Sequence, residues 1–407
     1  MKKVVYLFGA GASKDFGLPL GNEIFDHAYR LLRAKALPRA APGLKEVLRK
    51  VEGCLRRIFT NLPDKKMAYP PFEEILTFLW DCKKLERWDY DKHKVISLFP
   101  NKRGVKGVFD LFVEMLGLTL AGSMRLHLRT GYTQAFVEFV QSIVAGGANP
   151  SFISLNYDTI LDDALLECVN RQAIDDYTYT VPLYDINSER DKFNPPKKLY
   201  REAGILLLKP HGSLNLVACP HRHGDGFFYG GADLIATQVK NLRCPSCGQV
   251  PKPLVIPPLY NKADYIAANA VKNPTINNRS TAENYRMNVD YRIREVLDSA
   301  DEITVIGYSL PAYDYDFKTL LMSSLMHNRG RRTLPLKLIS KGNKRLIGDL
   351  KAQFERVAGS VVIESSNGFY DYLKRRGFAK RRMVKSGVSA SYLPAAKTQC
   401  DMAPLHP

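Results

Sequence analysis

Little in this sequence would place the chain in or across a membrane. Its longest uncharged stretch, Phe139 to Tyr157, is broken by Gln141, by a Gly-Gly pair and by Asn149-Pro150. Such a stretch does not build a bilayer-spanning helix. A leader's apolar region would run about 7–15 residues. Here two lysines precede only the six residues Val4 to Gly9, and Ala10-Gly11-Ala12-Ser13 follows. The expectation is a cytoplasmic protein with no membrane contact. Cysteine is sparse and odd in number, seven in 407 residues, which argues against a disulfide framework. There is no internal repeat. Apolar residues make up 45% and charged residues 25%, the composition of a globular chain rather than a disordered or fibrous one. The length allows two or three structural units at roughly 100–200 residues each.

Acidic residues are also in deficit, 41 against 59 lysines and arginines, for a net charge of +18. The excess is clustered. Residues 30–66 hold eleven basic and three acidic residues, and residues 371–385 hold seven basic residues and Asp371. Clustered charge suits an anionic partner, nucleic acid or an acidic protein face. A solvated helix face and a frayed tail explain it at least as well, because neither a regular interleaving of aromatic residues nor a known nucleic-acid module accompanies the clusters. Contact with nucleic acid is therefore left open.

Val4-Val5-Tyr6-Leu7-Phe8 is a continuous apolar run ending in glycine, the pattern of a parallel strand buried on both faces. Similar runs stand at 151–155, 205–208, 302–307 and 336–340, with a sixth at 361–363. Helical periodicity fills much of the interval to residue 150. It is amphipathic over 24–37, continues over 44–59, and shows a stripe at Phe72, Ile75, Leu76 and Leu79. Further helices are expected over 108–128, 133–144 and 281–299 and from about Thr159 and Asp316. Strands alternating with helices predict an α/β fold with a Rossmann-like doubly wound parallel sheet. The expected organisation is a first core segment at 1–30, a helical insertion at 31–149 and more core at 150–215. A small zinc-ribbon-like insertion at 216–254, the rest of the core at 255–370 and a basic, disordered tail at 371–407 complete it.

In open α/β sheets ligands sit beyond the carboxyl ends of the strands. Four unusual sequences fall there. Gly9-Ala10-Gly11-Ala12-Ser13 follows the first strand, where glycines let a backbone approach a pyrophosphate. The third glycine of the dinucleotide fingerprint is absent, since position 14 is lysine. No strand ending in an acidic residue follows about 20 residues on. Both departures disfavour a dehydrogenase. Asn156-Tyr157-Asp158 puts a carboxamide and a carboxylate after the second strand, with an ordinary helix cap as the competing reading. Lys209-Pro210-His211-Gly212-Ser213 places a histidine where a general base is useful. Gly307-Tyr308-Ser309 suits a phosphate or a ribose hydroxyl.

Together these residues resemble the sirtuin superfamily, specifically the SIR2-like NAD-consuming domains of bacterial antiphage defence systems. Gly9-Ala10-Gly11-Ala12-Ser13 and Gly17-Leu18-Pro19 match its opening loop. Asn156-Tyr157-Asp158, His211-Gly212 and Gly307-Tyr308-Ser309 match its later motifs. The match runs from residue 4 to about 345, outside the helical insertion. The family's Asp-Phe-Arg is here Leu20-Gly21-Asn22, and its Gln is Leu155. No strand for pairing with an acyl-lysine peptide is evident, since Leu254-Val255-Ile256 runs into Pro257-Pro258. These departures favour cleavage of NAD+ by water over deacylation.

The resemblance implies an NAD+ glycohydrolase that depletes NAD+ in antiviral defence. The alternatives are a deacylase or ADP-ribosyltransferase, or a non-catalytic NAD or ADP-ribose sensor. It implies that Gly9, Ala10, Gly11, Ala12 and Ser13 hold the phosphates, with Gly307 and Ser309 at phosphate or ribose. His211, Asn156 and Asp158 are the expected catalytic residues. Asp158 holds the nicotinamide amide, Asn156 places ribose and water, and His211 accepts a proton. A homo-oligomer and a co-encoded partner of ATPase or Argonaute type also follow from it. Cys244-Pro245-Ser246-Cys247-Gly248 is a zinc-knuckle signature. Cys219 is a third ligand for a structural Zn2+. The fourth is His223 or His221, with His223 preferred because Cys-x3-His leaves more reach.

Overall fold

The computed structural model describes residues 1–33, 43–58, 69–87, 104–127, 132–173, 177–178, 184–185, 205–219, 227–229, 243–244, 247–256, 281–311, 313–329 and 334–378. Its strands, in chain order, are β1 Lys3–Phe8, β2 Asn149–Ser154, β3 Tyr177–Thr178, β4 Tyr184–Asp185, β5 Ile205–Leu208 and β6 Gly212–Ala218. They continue with β7 Phe227–Tyr229, β8 Lys252–Val255, β9 Glu302–Ile306, β10 Leu334–Ile339 and β11 Gly359–Ser365. The helices are α1 Ala10–Lys14, α2 Ile24–Arg33, α3 Leu44–Ile58, α4 Phe72–Arg87, α5 Gly104–His127 and α6 Tyr132–Val144. Then come α7 Ile160–Asn170, α8 Thr281–Ser299, α9 Tyr315–Arg329, α10 Lys344–Ala358 and α11 Phe369–Arg375.

Seven strands form one parallel sheet in the order β11-β10-β9-β1-β2-β5-β3. The chain builds outward from β1 in one direction through β2 and β5. It then returns to the other flank with β9, β10 and β11. This is the Rossmann-like parallel sheet with helical insertions that the alternating pattern predicts. The continuous apolar runs are explained by burial on both faces. Tyr6 and Phe8 point to one face, where Tyr6 stacks on Phe152 and Phe8 meets Phe136 of α6 and Phe369 of α11. Side chains alternate along a strand, so Val5 and Leu7 face the other side. Both are buried, and α8 packs against β1 and β5. The two-residue strand β3 at the sheet's edge has no length in which to show a period, and the sequence gives no sign of it.

Helices α2 to α5 form a layer between β1 and β2. Its centre is α5, against which α2, α3 and α4 all pack. A helix with neighbours all around reads as apolar on every face. Gly107–Met124 is accordingly long and apolar enough to cross a membrane by length and composition, yet it is 72% buried within the protein. Phe112 and Met115 are wholly enclosed, and the Thr119 hydroxyl returns a hydrogen bond to the Met115 carbonyl.

A second sheet has the order β4-β7-β6-β8. Its strand β6 starts immediately after His211. Strand β8 pairs antiparallel with β6. Among the described residues it is an edge strand, where one N–H row makes no ladder bonds and a proline, here Pro253, is tolerated. Gly212 makes this pairing possible. Its φ is +75°, and a Cβ there would lie 1.8 Å from the Leu254 carbonyl oxygen.

Candidate functional site

The loops after β9, β1, β2 and β5 leave four adjacent strands at the same edge of the sheet. The strand order reverses between β1 and β9, which makes this edge the topological switch point. The four sequence motifs are therefore neighbours in space, although up to 300 residues separate them.

The first and last motifs touch through their backbones. The Gly9 N–H donates to the Ile306 carbonyl and the Gly11 N–H to the Gly307 carbonyl, each at 2.9 Å. A Cβ on Gly9 or Gly11 would meet the Gly307 oxygen at 2.7 or 2.8 Å. Gly307 has φ +65°, and a Cβ there would lie 2.1 Å from the Ala12 nitrogen. Three of the motif glycines are thus required by the contact between the two loops. Ala10 and Ser309 are exposed beside this contact, while Ala12 and Ser13 are buried. Leu310, next in the same loop, is buried with φ +53°. That conformation is costly for a residue with a Cβ, and such outliers cluster at functional sites.

Asn156 is buried against the Gly9 loop. Its Nδ2 donates to the Gly9 carbonyl at 3.0 Å and to Ser13 Oγ at 2.8 Å. A carbonyl only accepts, so this contact fixes which end of the amide is nitrogen. The other end, Oδ1, is buried with no hydrogen-bond partner. The Ser13 hydroxyl passes the chain on to Asp158. Asp158 Oδ1 also accepts the Ile160 N–H at 3.1 Å, capping α7. Burial pushes the Asp158 carboxyl above its ordinary range, against the opposing pull of Lys209 and these hydrogen bonds.

Lys209 is fully enclosed. Its ammonium donates to Asp162 Oδ2 at 2.8 Å, Ser213 Oγ at 2.6 Å and the Asp158 carbonyl at 2.6 Å. Three donors meet three acceptors, which a buried ammonium requires. Asn215 Nδ2 donates to the other Asp162 oxygen at 3.1 Å. Two polar residues of the Lys-Pro-His-Gly-Ser-Leu-Asn run, Lys209 and Asn215, thus bond to one buried aspartate, and Ser213 bonds to the lysine.

His211 is set apart from that network. It is buried, and its Nε2 lies 3.1 Å from Asp314 Oδ2. The Tyr308 hydroxyl donates to the same oxygen at 3.2 Å. Asp314 comes from the loop after β9, just ahead of α9. A neutral imidazole that donates Nε2–H to this carboxylate carries its basic lone pair on Nδ1. The Tyr157 ring lies 6.2 Å from the imidazole, and its hydroxyl donates to the Ile256 carbonyl at 2.7 Å. That bond and the Ile256 N–H to the His211 carbonyl, at 2.9 Å, tie the histidine to the end of β8.

Asp314, Tyr308 and Lys209 did not emerge from the sequence as parts of this arrangement. Asp314 offered one signal, since it lies seven residues beyond Gly307 in a strand-end loop.

Away from this cleft, Cys219 at the end of β6 meets Cys244 and Cys247. The three sulfurs lie within 4.8 Å of one another, and Cys219 and Cys247 are 3.4 Å apart. Zn–S bonds of about 2.3 Å in a tetrahedron put sulfurs about 3.8 Å apart, so this donor set fits zinc. The Gly248 N–H bonds to the Cys244 carbonyl, closing the turn of the knuckle. His221 and His223 lie outside the described residues, as do residues 379–407 of the expected tail and much of the basic segment 30–66.

No protein-family model matches the chain, and no curated protein matches it. Among solved structures it is similar to a sirtuin from work on the structural basis of sirtuin substrate affinity. There the identity is 10%, 92% of each chain is covered and the TM-score is 0.35. It is similar also to a Sir2–p53 peptide–NAD+ complex, with 11% identity, 92% of this chain and 91% of that chain covered, and a TM-score of 0.34. A third is Sir2 with the inhibitor EX-527, 2′-O-acetyl-ADP-ribose and a deacetylated p53 peptide. It shows 13% identity, coverage of 93% and 95%, and a TM-score of 0.31. Likeness at these scores assigns no role to any residue of this chain.

Proposed function

We propose that this cleft binds NAD+ and cleaves its nicotinamide–ribose bond with water, releasing nicotinamide and ADP-ribose. Asn156 carries the reading. A buried carbonyl oxygen without a donor costs about 1–3 kcal/mol, and Asn156 Oδ1 is in that state beside the glycine loop. A ribose hydroxyl or the attacking water supplies the missing donor. The motif resemblance at Gly9–Ser13, Asn156–Asp158, His211–Gly212 and Gly307–Ser309 supplies the identity of the ligand.

The residues divide the work as follows. Exposed Ala10 and Ser309 meet the phosphates at the junction of the two glycine loops. Asp158 takes the nicotinamide carboxamide. As the C1′–N bond breaks, nicotinamide leaves neutral and positive charge develops on the ribose. A water oxygen bonds to C1′ and its proton passes to His211 Nδ1. Asp314 holds the ring in the required tautomer and stabilises the imidazolium, as a carboxylate does in other His–Asp pairs. The proton then leaves to solvent. In the cell this activity would act as a regulated effector in antiviral defence, in a homo-oligomer with a co-encoded partner.

One observation favours a second reading, deacylation. Among the described residues β8 is an edge strand that leads directly to His211. An open edge next to the cleft is a place for an extended acyl-lysine peptide to pair. Product analysis with and without such a peptide separates the two. Hydrolysis proceeds without it, and deacylation depends on it.

For the cysteine cluster we propose one structural zinc held by Cys219, Cys244, Cys247 and His223. Protein purified without chelator should carry about one equivalent of zinc per chain. Cys244→Ser should lose it. Full zinc content in that variant would remove the cluster as the binding site.

A further inference from the structure

The helical layer buries a carboxylate within electrostatic reach of Asp314 in this cleft. Glu73, in the first turn of α4, is 92% buried by its 8% exposure, and its Oε2 has no hydrogen-bond partner. The carboxylate rests on Gly21. A Cβ at that position would lie 1.9 Å from Oε1 and 2.3 Å from Oε2. Gly21 belongs to Leu20-Gly21-Asn22, where the sequence departs from the resembled family's Asp-Phe-Arg. The missing side chain at 21 is the space the carboxylate occupies. Asp314, the partner of His211, is near enough for its charge to act on Glu73, as does that of Glu74. Burial holds the Glu73 carboxyl up to about 7.

Its own backbone N–H supplies one hydrogen bond, but Oε2 stays buried without a donor, which opposes folding, and that bond does not satisfy Oε2. A hydroxyl donor from a ligand would. We infer that Glu73 is a substrate-binding residue, supplied by the helical insertion, that accepts a hydrogen bond from a ribose hydroxyl at the scissile bond. This inference rests on the proposed NAD+ reading.

The test is calorimetric titration of the full chain with NAD+, ADP-ribose and free nicotinamide, beside thermal melts. Glu73→Gln should weaken NAD+ and ADP-ribose by about 10- to 100-fold, the loss for a hydrogen bond to a charged group. It should leave the melting temperature unchanged or raise it. Gly21→Ala, which displaces the carboxylate without removing it, should weaken both ligands as well. Nicotinamide, which has no ribose, should bind each variant as it binds wild type. Wild-type binding retained within twofold by Glu73→Gln overturns the inference. So does a lowered melting temperature with unchanged affinity, the mark of a purely structural group. Absence of NAD+ and ADP-ribose binding by wild type overturns the underlying reading, and this inference with it.

Discussion

His211→Ala is expected to lower NAD+ cleavage by about 10²–10⁴-fold, the usual loss on removing a general base. The folded state should survive, because Asp314 keeps the Tyr308 hydroxyl and the shortened side chain sits at a strand end rather than within a strand. Asp314→Asn should also slow the reaction. An amide leaves the imidazole in place but can accept its proton or donate to it, so the tautomer is no longer fixed. Nicotinamide release, measured beside a melting curve for each variant, decides the matter. Turnover of His211→Ala within a few-fold of wild type would remove the histidine from the mechanism.

Lys209→Met is expected to destabilise the fold by about 3–5 kcal/mol, the cost of breaking a buried ion pair from one side. Asp162 is 1% exposed and would lose its ammonium partner while the Asn215 amide stays. Asp158 would lose the positive charge that opposes the effect of burial on its carboxyl. The double variant Lys209→Met with Asp162→Leu should recover part of the loss, since no charge is then stranded. Urea midpoints of the three proteins test this. A single-variant loss below about 1 kcal/mol would mean that water reaches the pair and the network is not sealed.

The core strands were legible because a parallel strand covered on both faces must be apolar at every position, as Val4–Phe8 and Ile205–Leu208 are. The long helices were legible from their period, and α8 was placed residue for residue. Strands β3, β4 and β7 were not, because two or three residues carry no period. Strand β8 was not separated from the Cys- and Pro-rich segment around it, because the Pro257-Pro258 pair that follows Ile256 argues against a ladder bond at those two positions. Whether proline is tolerated depends on which side of the strand has a neighbour, and that is a property of the sheet. At the site, Gly9, Gly11 and Gly307 were visible as strand-end glycines. That they are needed against each other was not visible, for β1 and β9 become neighbours only when the sheet forms. The same holds for His211 and Asp314, 103 residues apart, and for Lys209 and Asp162. The sequence marks the residue whose chemistry is unusual, and only the fold supplies its partner.

The most direct measurement is mass analysis of the products when the full chain is incubated with NAD+ in water enriched in oxygen-18. The account predicts nicotinamide and ADP-ribose in equal amounts, with one solvent oxygen in each ADP-ribose and no need for an acylated peptide. Intact NAD+, or ADP-ribose transferred to an acyl group or to protein, would contradict it.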